Sequence, residues 1–225
     1  MDRFLDLFYQ NLIVEDRWLM ILKGFGTTIY ITFFAIVVGT ILGIIFCLFR
    51  ISNNKLLNKI GSVYVTVIRG TPSVIQIMLI YFGIFGTINI PKEIAAIIAF
   101  GINSGAYMTE IMRGGILSVD SGQVEAGRSL GLSTVHTFVQ IVLPQAFKNM
   151  LPTYTSEVIV LLKETAIIGL IGLRELTGYA NYIRSRTFST FFPYITAALL
   201  YLLLTSLLSK VFSKIERRLR ESDLR

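Results

Sequence analysis

Residues 26–49 read GTTIYITFFAIVVGTILGIIFCLF, with no Asp, Glu, Lys or Arg in the run. A helix rises about 1.5 Å per residue, so this stretch is long enough to cross a hydrocarbon core of roughly 30 Å. It is apolar on every face, as a helix surrounded by lipid requires. Gly39 and Gly43 stand four apart, on one face, where small residues let two helices approach closely. These residues predict a membrane-spanning helix packed along a glycine seam.

The same pattern recurs at 60–85, 94–116, 151–171 and 192–212, which predicts an all-α integral membrane protein with five transmembrane helices. Composition agrees. The 225 residues are 53% hydrophobic and 16% charged, and the mean hydropathy is +0.67. A soluble domain of this length carries about a quarter charged residues. The net charge of +7 is assigned to basic flanks of membrane helices and not to nucleic-acid binding. The single cysteine, Cys47, lies inside the first span and reads as a small buried hydrophobe.

The chain reads as one domain, residues 1–225. Its start mixes Asp2, Asp6, Glu15 and Asp16 with Leu5, Phe8, Leu12 and Trp18. That is not a cleavable signal pattern, and segment 1–24 is expected to lie as an amphipathic helix on the outer membrane surface. Orientation follows from Lys and Arg in the flanks. With the C-terminus inside, the inner segments hold Arg50, Lys55, Lys59, Arg113, Arg128, Lys148, Lys210 and the basic tail 213–225. They outweigh the outer Arg3, Arg17, Lys23, Lys92, Arg174, Arg184 and Arg186. The N-terminus is therefore expected outside, although Arg184 and Arg186 run against the bias.

Ionisable and polar groups inside the spans mark a pathway or pair with one another. Arg69-Gly70-Thr71-Pro72 interrupts the second span. Pro72 lacks an N–H and Gly70 loosens the chain, which predicts a broken helix with free amides beyond it. Such a helix end suits a carboxylate. Gln76 lies one turn further on. Asn103 and Ser104 predict a second polar break in the third span. Glu157 and Glu164 are seven apart, hence on one face of the fourth, beside Lys163. Arg69, Gly70, Thr71, Gln76, Asn103, Ser104, Glu157 and Glu164 are therefore the candidate substrate-binding residues. The alternatives are a proline kink used for packing, interhelical glue at Asn103 and Ser104, and a salt bridge of Arg69 with Glu157 or Glu164. Glu110 and Arg113, three apart, are expected to pair. The lone His136 reads as a surface residue and not a metal ligand.

Segment 118–148, on the inner side, contains GQVEAGRSLGLSTVHTFVQIVLPQAF at 122–147. Gly131 suits a left-handed helix end and Ser133 a helix N-cap, so two short helices are expected to meet there. Glu125-Ala126-Gly127, then Gly131, Ile141 and Leu143-Pro144, match the spacing of the EAA loop of ABC importer permeases. Gly127 departs from that pattern, which has alanine at the third position. Stretches 67–83 (VIRGTPSVIQIMLIYFG), 102–116 (INSGAYMTEIMRGGI) and 156–176 (SEVIVLLKETAIIGLIGLREL) resemble the polar amino-acid branch of type I importers.

The resemblance implies a type I ABC importer permease fold in the bacterial cytoplasmic (inner) membrane. It also implies cytoplasmic coupling helices carried by Glu125, Ala126, Gly127, Gly131, Ile141, Leu143 and Pro144. The partners implied are a dimer of ATP-binding subunits, a second permease chain, an extracytoplasmic solute-binding protein, an amino-acid substrate and membrane lipid. The chain lacks the G-x-x-x-x-G-K-[ST] phosphate loop, so ATP and Mg are expected on the partner ATPase, with no cofactor, metal or catalytic residue here. The rival reading is an ion-coupled secondary amino-acid transporter with Glu157 or Glu164 carrying a proton. Such folds usually contain internal repeats, and none is visible.

Overall fold

The computed structural model describes residues 2–221. Among them every regular element is helical. The chain begins with α1 (Asp2–Phe8) and continues through a π-helical turn (Tyr9–Ile13) and a 3-10 turn (Val14–Asp16). Helix α2 then runs Arg17–Ile51 without interruption, so the last residues of segment 1–24 and the first apolar run share one helix. Helix α3 (Lys55–Arg69) is followed by α4 (Ser73–Met78), which passes into a π-helical stretch (Leu79–Ile84). Helix α5 spans Lys92–Leu117. Short helices α6 (Ser121–Ser129) and α7 (Thr134–Thr137) follow. A π-helical turn (Phe138–Val142) joins α7 to α8 (Leu143–Glu164), and a 3-10 segment (Thr165–Ile171) follows. Helices α9 (Leu176–Thr187) and α10 (Phe191–Glu221) complete the fold. Residues 222–225 of the expected basic tail lie outside the described residues.

Three helical stretches are long and apolar enough to cross a membrane: Leu5–Ile51, Lys92–Leu117 and Phe191–Leu219. Helices α3 and α4 qualify together as a bent pair, with an angle of 103° at the break. The second predicted span is thus sharply broken where the sequence placed the break. Helix α8 does not meet the same test. It carries Lys148, Glu157, Lys163 and Glu164, which lower its apolarity.

The centre of the fold is α5 against α2, along the predicted glycine seam. A Cβ on Gly39 would stand 3.2 Å from Ser104 Cβ, and one on Gly43 would stand 2.6 Å from Met108 Cβ. The second position cannot accept a side chain without moving a helix, because interiors this dense have no slack. Around the seam, Ile31, Ala35, Ala99, Phe100 and Leu161 form one buried cluster. Cys47 packs with Met108, Met112 and Val158 in another and is a free thiol, 3% exposed.

One sequence expectation fails. Asn103-Ser104-Gly105 does not break the third span: α5 is helical throughout. Both polar side chains find partners on other helices, so their backbone groups stay in the helix. Gly105 serves close packing instead, since a Cβ there would meet Tyr64 Oη at 2.7 Å and Leu42 Cβ at 2.9 Å.

Candidate functional site

The end of α3 sets the first part of the site. Gly70 N–H donates to Thr66 O at 3.0 Å, and a Cβ on Gly70 would meet the same oxygen at 2.7 Å. Only glycine fits this close. Pro72 is extended and caps α4. The carbonyls left open by the break are gathered by Gln76, whose Nε2 is shared among Ile68 O (2.7 Å), Thr71 O (3.1 Å) and Thr71 Oγ1 (2.6 Å). Asn103 Nδ2 donates to Gln76 Oε1 at 2.9 Å. Gln76 and Asn103 are buried, and together they fix the break to α5. A half-satisfied amide here would be costly in a membrane interior, which explains the interlocked pair.

The second part is an open cavity of about 670 Å³ between α5, α8 and the end of α3. Arg69, Tyr107, Glu110, Met150, Thr153 and Glu157 are among its lining residues. The Arg69 guanidinium lies over the Tyr107 ring, 5.1 Å from its centroid, a cation–π arrangement. Glu157 Oε1 accepts from Ser104 Oγ at 3.0 Å, and its other oxygen has no protein donor among the described residues. Among the described residues Arg69 forms no ion pair with Glu157 or Glu164. The cavity therefore carries unlike charges that do not neutralise each other by contact.

Not every candidate residue reaches this space. Ser104 touches it only through Glu157. Gly70, Thr71, Gln76 and Asn103 form the buttress behind Arg69 and do not line it. Glu164 ends α8 beyond the cavity, in reach of Ser73 at the start of α4. Glu110 pairs with Arg113 as expected (2.6 Å) and also accepts from Arg50 Nε of α2 at 3.3 Å.

The third part is the segment of α6 and α7. Gly131 has φ +84°, Leu132 N donates to Gly127 O (3.1 Å), and Gly131 N donates to Arg128 O (3.0 Å). These two bonds make a Schellman ending for α6. Ser133 Oγ accepts from His136 N at 3.3 Å and caps α7. Gly127 is buried, and an added Cβ would stand 2.8 Å from Ile141 Cδ1 and 3.0 Å from Thr137 Cγ2. The departure at Gly127 thus lets the two short helices close on each other. Outside that contact, Leu130 is 83% exposed and Val135 70%. His136 is exposed, and no His, Cys, Asp or Glu cluster among the described residues suits a metal ion.

A fourth element was not singled out from the sequence. Glu175, 0% exposed, is the N-cap of α9. It accepts from Thr177 N (2.8 Å), Gly178 N (2.8 Å), Tyr201 Oη (2.7 Å) and Thr28 Oγ1 (3.3 Å). The available signal was a carboxylate immediately before a short helix, where it satisfies open amides.

This architecture is that of a type I ABC importer permease. The fold superposes on a chain of a crystal structure described as an amino acid ABC transporter with histidines, with a TM-score of 0.83 and 42% identity over 88% of this chain and 94% of that one. An inward-facing MetNI methionine ABC transporter shares the fold at a TM-score of 0.71 and 21% identity, covering 88% of this chain and 94% of that one. The chain belongs to the family of binding-protein-dependent transport system inner membrane components, whose model matches residues 18–221. It is the multi-pass permease component of an importer and not its catalytic subunit. It is 38% identical to the arginine transport system permease protein ArtQ of Bacillus subtilis, over 90% of this chain and 94% of the relative. It is 35% identical to the nopaline transport system permease protein NocM of Agrobacterium fabrum, over 89% and 88% of the respective chains.

Proposed function

We propose that this chain forms the translocation path of an ATP-driven amino-acid importer, with a second permease chain across the pore. The observation that carries the substrate class is the pairing of Arg69 and Glu157 around one open cavity without contact between them. A zwitterionic amino acid offers a carboxylate to the first and an ammonium group to the second. Ser104 orients Glu157, while Gly70, Thr71, Gln76 and Asn103 hold the break that presents Arg69. Glu164, a turn beyond the cavity on the same helix, meets the substrate at a different stage of transit. The printed functions of the arginine and nopaline relatives support the same class. They give no support to an ion-coupled secondary transporter.

The path is built of five spans: α2, the bent pair α3–α4, α5, α8 with its 3-10 extension, and α10. The N-terminus lies outside and the C-terminus inside. Helices α6 and α7 dock on ATP-binding subunits that hold ATP and Mg. Leu130 and Val135 supply the apolar contact, Gly131 and Gly127 the shape, and Glu125 the exposed charge. Ile141, Leu143 and Pro144 continue this surface into α8.

Thermal stabilisation of the purified permease–ATPase complex, screened against common amino acids, tests the reading. A ligand at about a hundred times its dissociation constant raises stability by roughly 2.7 kcal/mol. Stabilisation by one amino-acid class in wild type, cut to about half in Glu157→Gln by a roughly tenfold weaker affinity, is expected. Equal stabilisation of both proteins would remove Glu157 from the site. Labelling of a cysteine at position 133 by an impermeant reagent from outside intact cells would overturn the topology and the docking role together.

A further inference from the structure

The corner between α2 and α3 carries an open cavity of about 490 Å³, lined by Ser52, Asn53, Lys55, Asn58, Lys59 and Ser62. Its frame is fixed by short-range bonds. Asn58 Nδ2 donates to Arg50 O at 2.6 Å, and Asn54 N donates to Ser52 Oγ at 3.1 Å. Asn54 Oδ1 accepts from Leu56 N at 2.9 Å and caps α3. Gly61 brings the two helices together, since a Cβ there would stand 3.1 Å from Arg50 Cγ and 3.3 Å from Phe46 O. Ser52 and Asn58 are thus taken up by the corner itself. The side chains of Asn53, Lys55, Lys59 and Ser62 form no hydrogen bond or ion pair among the described residues. Arg50, at the end of α2, is by contrast paired with Glu110 at 3.3 Å.

Lys55, Lys59 and Ser62 follow at intervals of four and three, so they share one stripe of α3. Beside it runs a stripe of Leu56, Ile60, Val63 and Val67, exposed by 66%, 44%, 54% and 54%. The remaining face, with Gly61 and Val65, is buried. One helix therefore presents two uncancelled ammonium groups at its end and an exposed apolar strip alongside. A phospholipid is the complement of that pattern, with a phosphate above an acyl chain. Phospholipid surrounds this chain in any case, because its family is an inner membrane component. The corner follows directly on the apolar run 26–49, which sets it at headgroup level. Lysines at a span end lay their stems on apolar surface and hold the ammonium among the headgroups. We propose that the α2–α3 corner is a binding site for an anionic phospholipid. Its phosphate is held by Lys55 and Lys59, with Ser62 and Asn53 donating, and an acyl chain lies along Leu56, Ile60 and Val63. A zwitterionic lipid carries its own cation beside the phosphate and gains less from the two lysines. The site needs no choice of orientation, since headgroups line both faces of a membrane.

The test uses the complex of this chain with its ATP-binding subunits, purified in detergent. Short-chain phosphatidylglycerol and, separately, short-chain phosphatidylcholine are titrated while the melting temperature is read, because a ligand of the folded state raises it. Phosphatidylglycerol is expected to stabilise wild type at a concentration at least tenfold below that of phosphatidylcholine. Lys55→Gln with Lys59→Gln is expected to raise the half-maximal phosphatidylglycerol concentration about thirtyfold, with the lipid-free melt unchanged. Lys59→Gln alone is expected to raise it about fivefold, and it decides the matter if the double variant melts early without lipid. Lys210→Gln with Lys214→Gln removes the same charge from exposed positions of α10 and is expected to leave the concentration unchanged. An equal loss in that control would assign the effect to general surface charge and overturn the site. Stabilisation by inorganic phosphate alone, at the concentration at which phosphatidylglycerol acts, would make this a free-anion site and overturn the lipid. If wild type does not distinguish the two lipids, or if the lysine variants keep the wild-type concentration, the corner holds no anionic phospholipid.

Discussion

Glu157 and Glu175 are both carboxylates in a largely apolar fold, and they are built into it in opposite ways. Glu175 has four donors from three elements: two amides of α9, Thr28 of α2 and Tyr201 of α10. Its lone pairs are nearly filled, and nothing further can approach. Among the described residues Glu157 has one donor, Ser104, and it faces an open cavity that Arg69 also lines. Burial alone therefore does not mark a carboxylate as functional. The number of its acceptor sites already taken does, because a saturated group holds helices together and an unsaturated one is left to hold something else.

The largest effect that separates the two belongs to Glu175→Leu. It strands two amides and two hydroxyls in the interior. A loss on the order of 3–5 kcal/mol, the range for breaking a buried charged group's contacts, is expected, seen as failure to purify or a collapsed thermal melt. A normal melt would end the contrast. Next comes Glu157→Gln, expected to melt within about 1 kcal/mol of wild type but to weaken substrate binding by about tenfold, equivalent to roughly 1.4 kcal/mol. Unchanged affinity with a large melting shift would make Glu157 a second Glu175.

Tyr201→Phe sharpens the comparison by removing one of four donors. The loss expected is about 1.5–3 kcal/mol, for a hydrogen bond to a charged group, read by chemical or thermal unfolding of the complex. Ser104→Ala is expected to have the smallest effect. It removes the only donor to Glu157 among the described residues, so stability changes by under about 1 kcal/mol and affinity by a few fold. A Ser104→Ala loss larger than that of Tyr201→Phe would mean that Glu157 is structural after all.

The sequence made some of this visible and hid the rest for physical reasons. Gly39 and Gly43 were readable because helical spacing turns a four-residue interval into one face. The break at Gly70–Pro72 was readable because glycine and proline act on the backbone itself. The Gly131–Ser133 junction was readable for the same reason, with a fixed motif spacing added. Asn103 and Ser104 misled because polarity of a side chain says nothing about its backbone when partners on neighbouring helices accept the bond. Glu175 stayed hidden because Thr28, one of its partners, lies 147 residues away in the chain. Gln76 was placed near the right segment, yet its bonds to the break depend on a 103° bend that no periodicity encodes.

The helical path from Thr134 to Glu164 has a mechanical consequence. No non-helical residue separates α7 from α8, since the π-helical turn at Phe138–Val142 carries the chain through. Glu157 thus lies well along a continuous helical stretch that begins at α7. At about 1.5 Å per residue its arm is roughly 34 Å long. A tilt of about 5° about the loop end sweeps the carboxylate through about 3 Å, about the length of the Ser104 hydrogen bond. Small angular motion at the membrane surface is thereby geared up to a displacement large enough to unseat a group held by one donor.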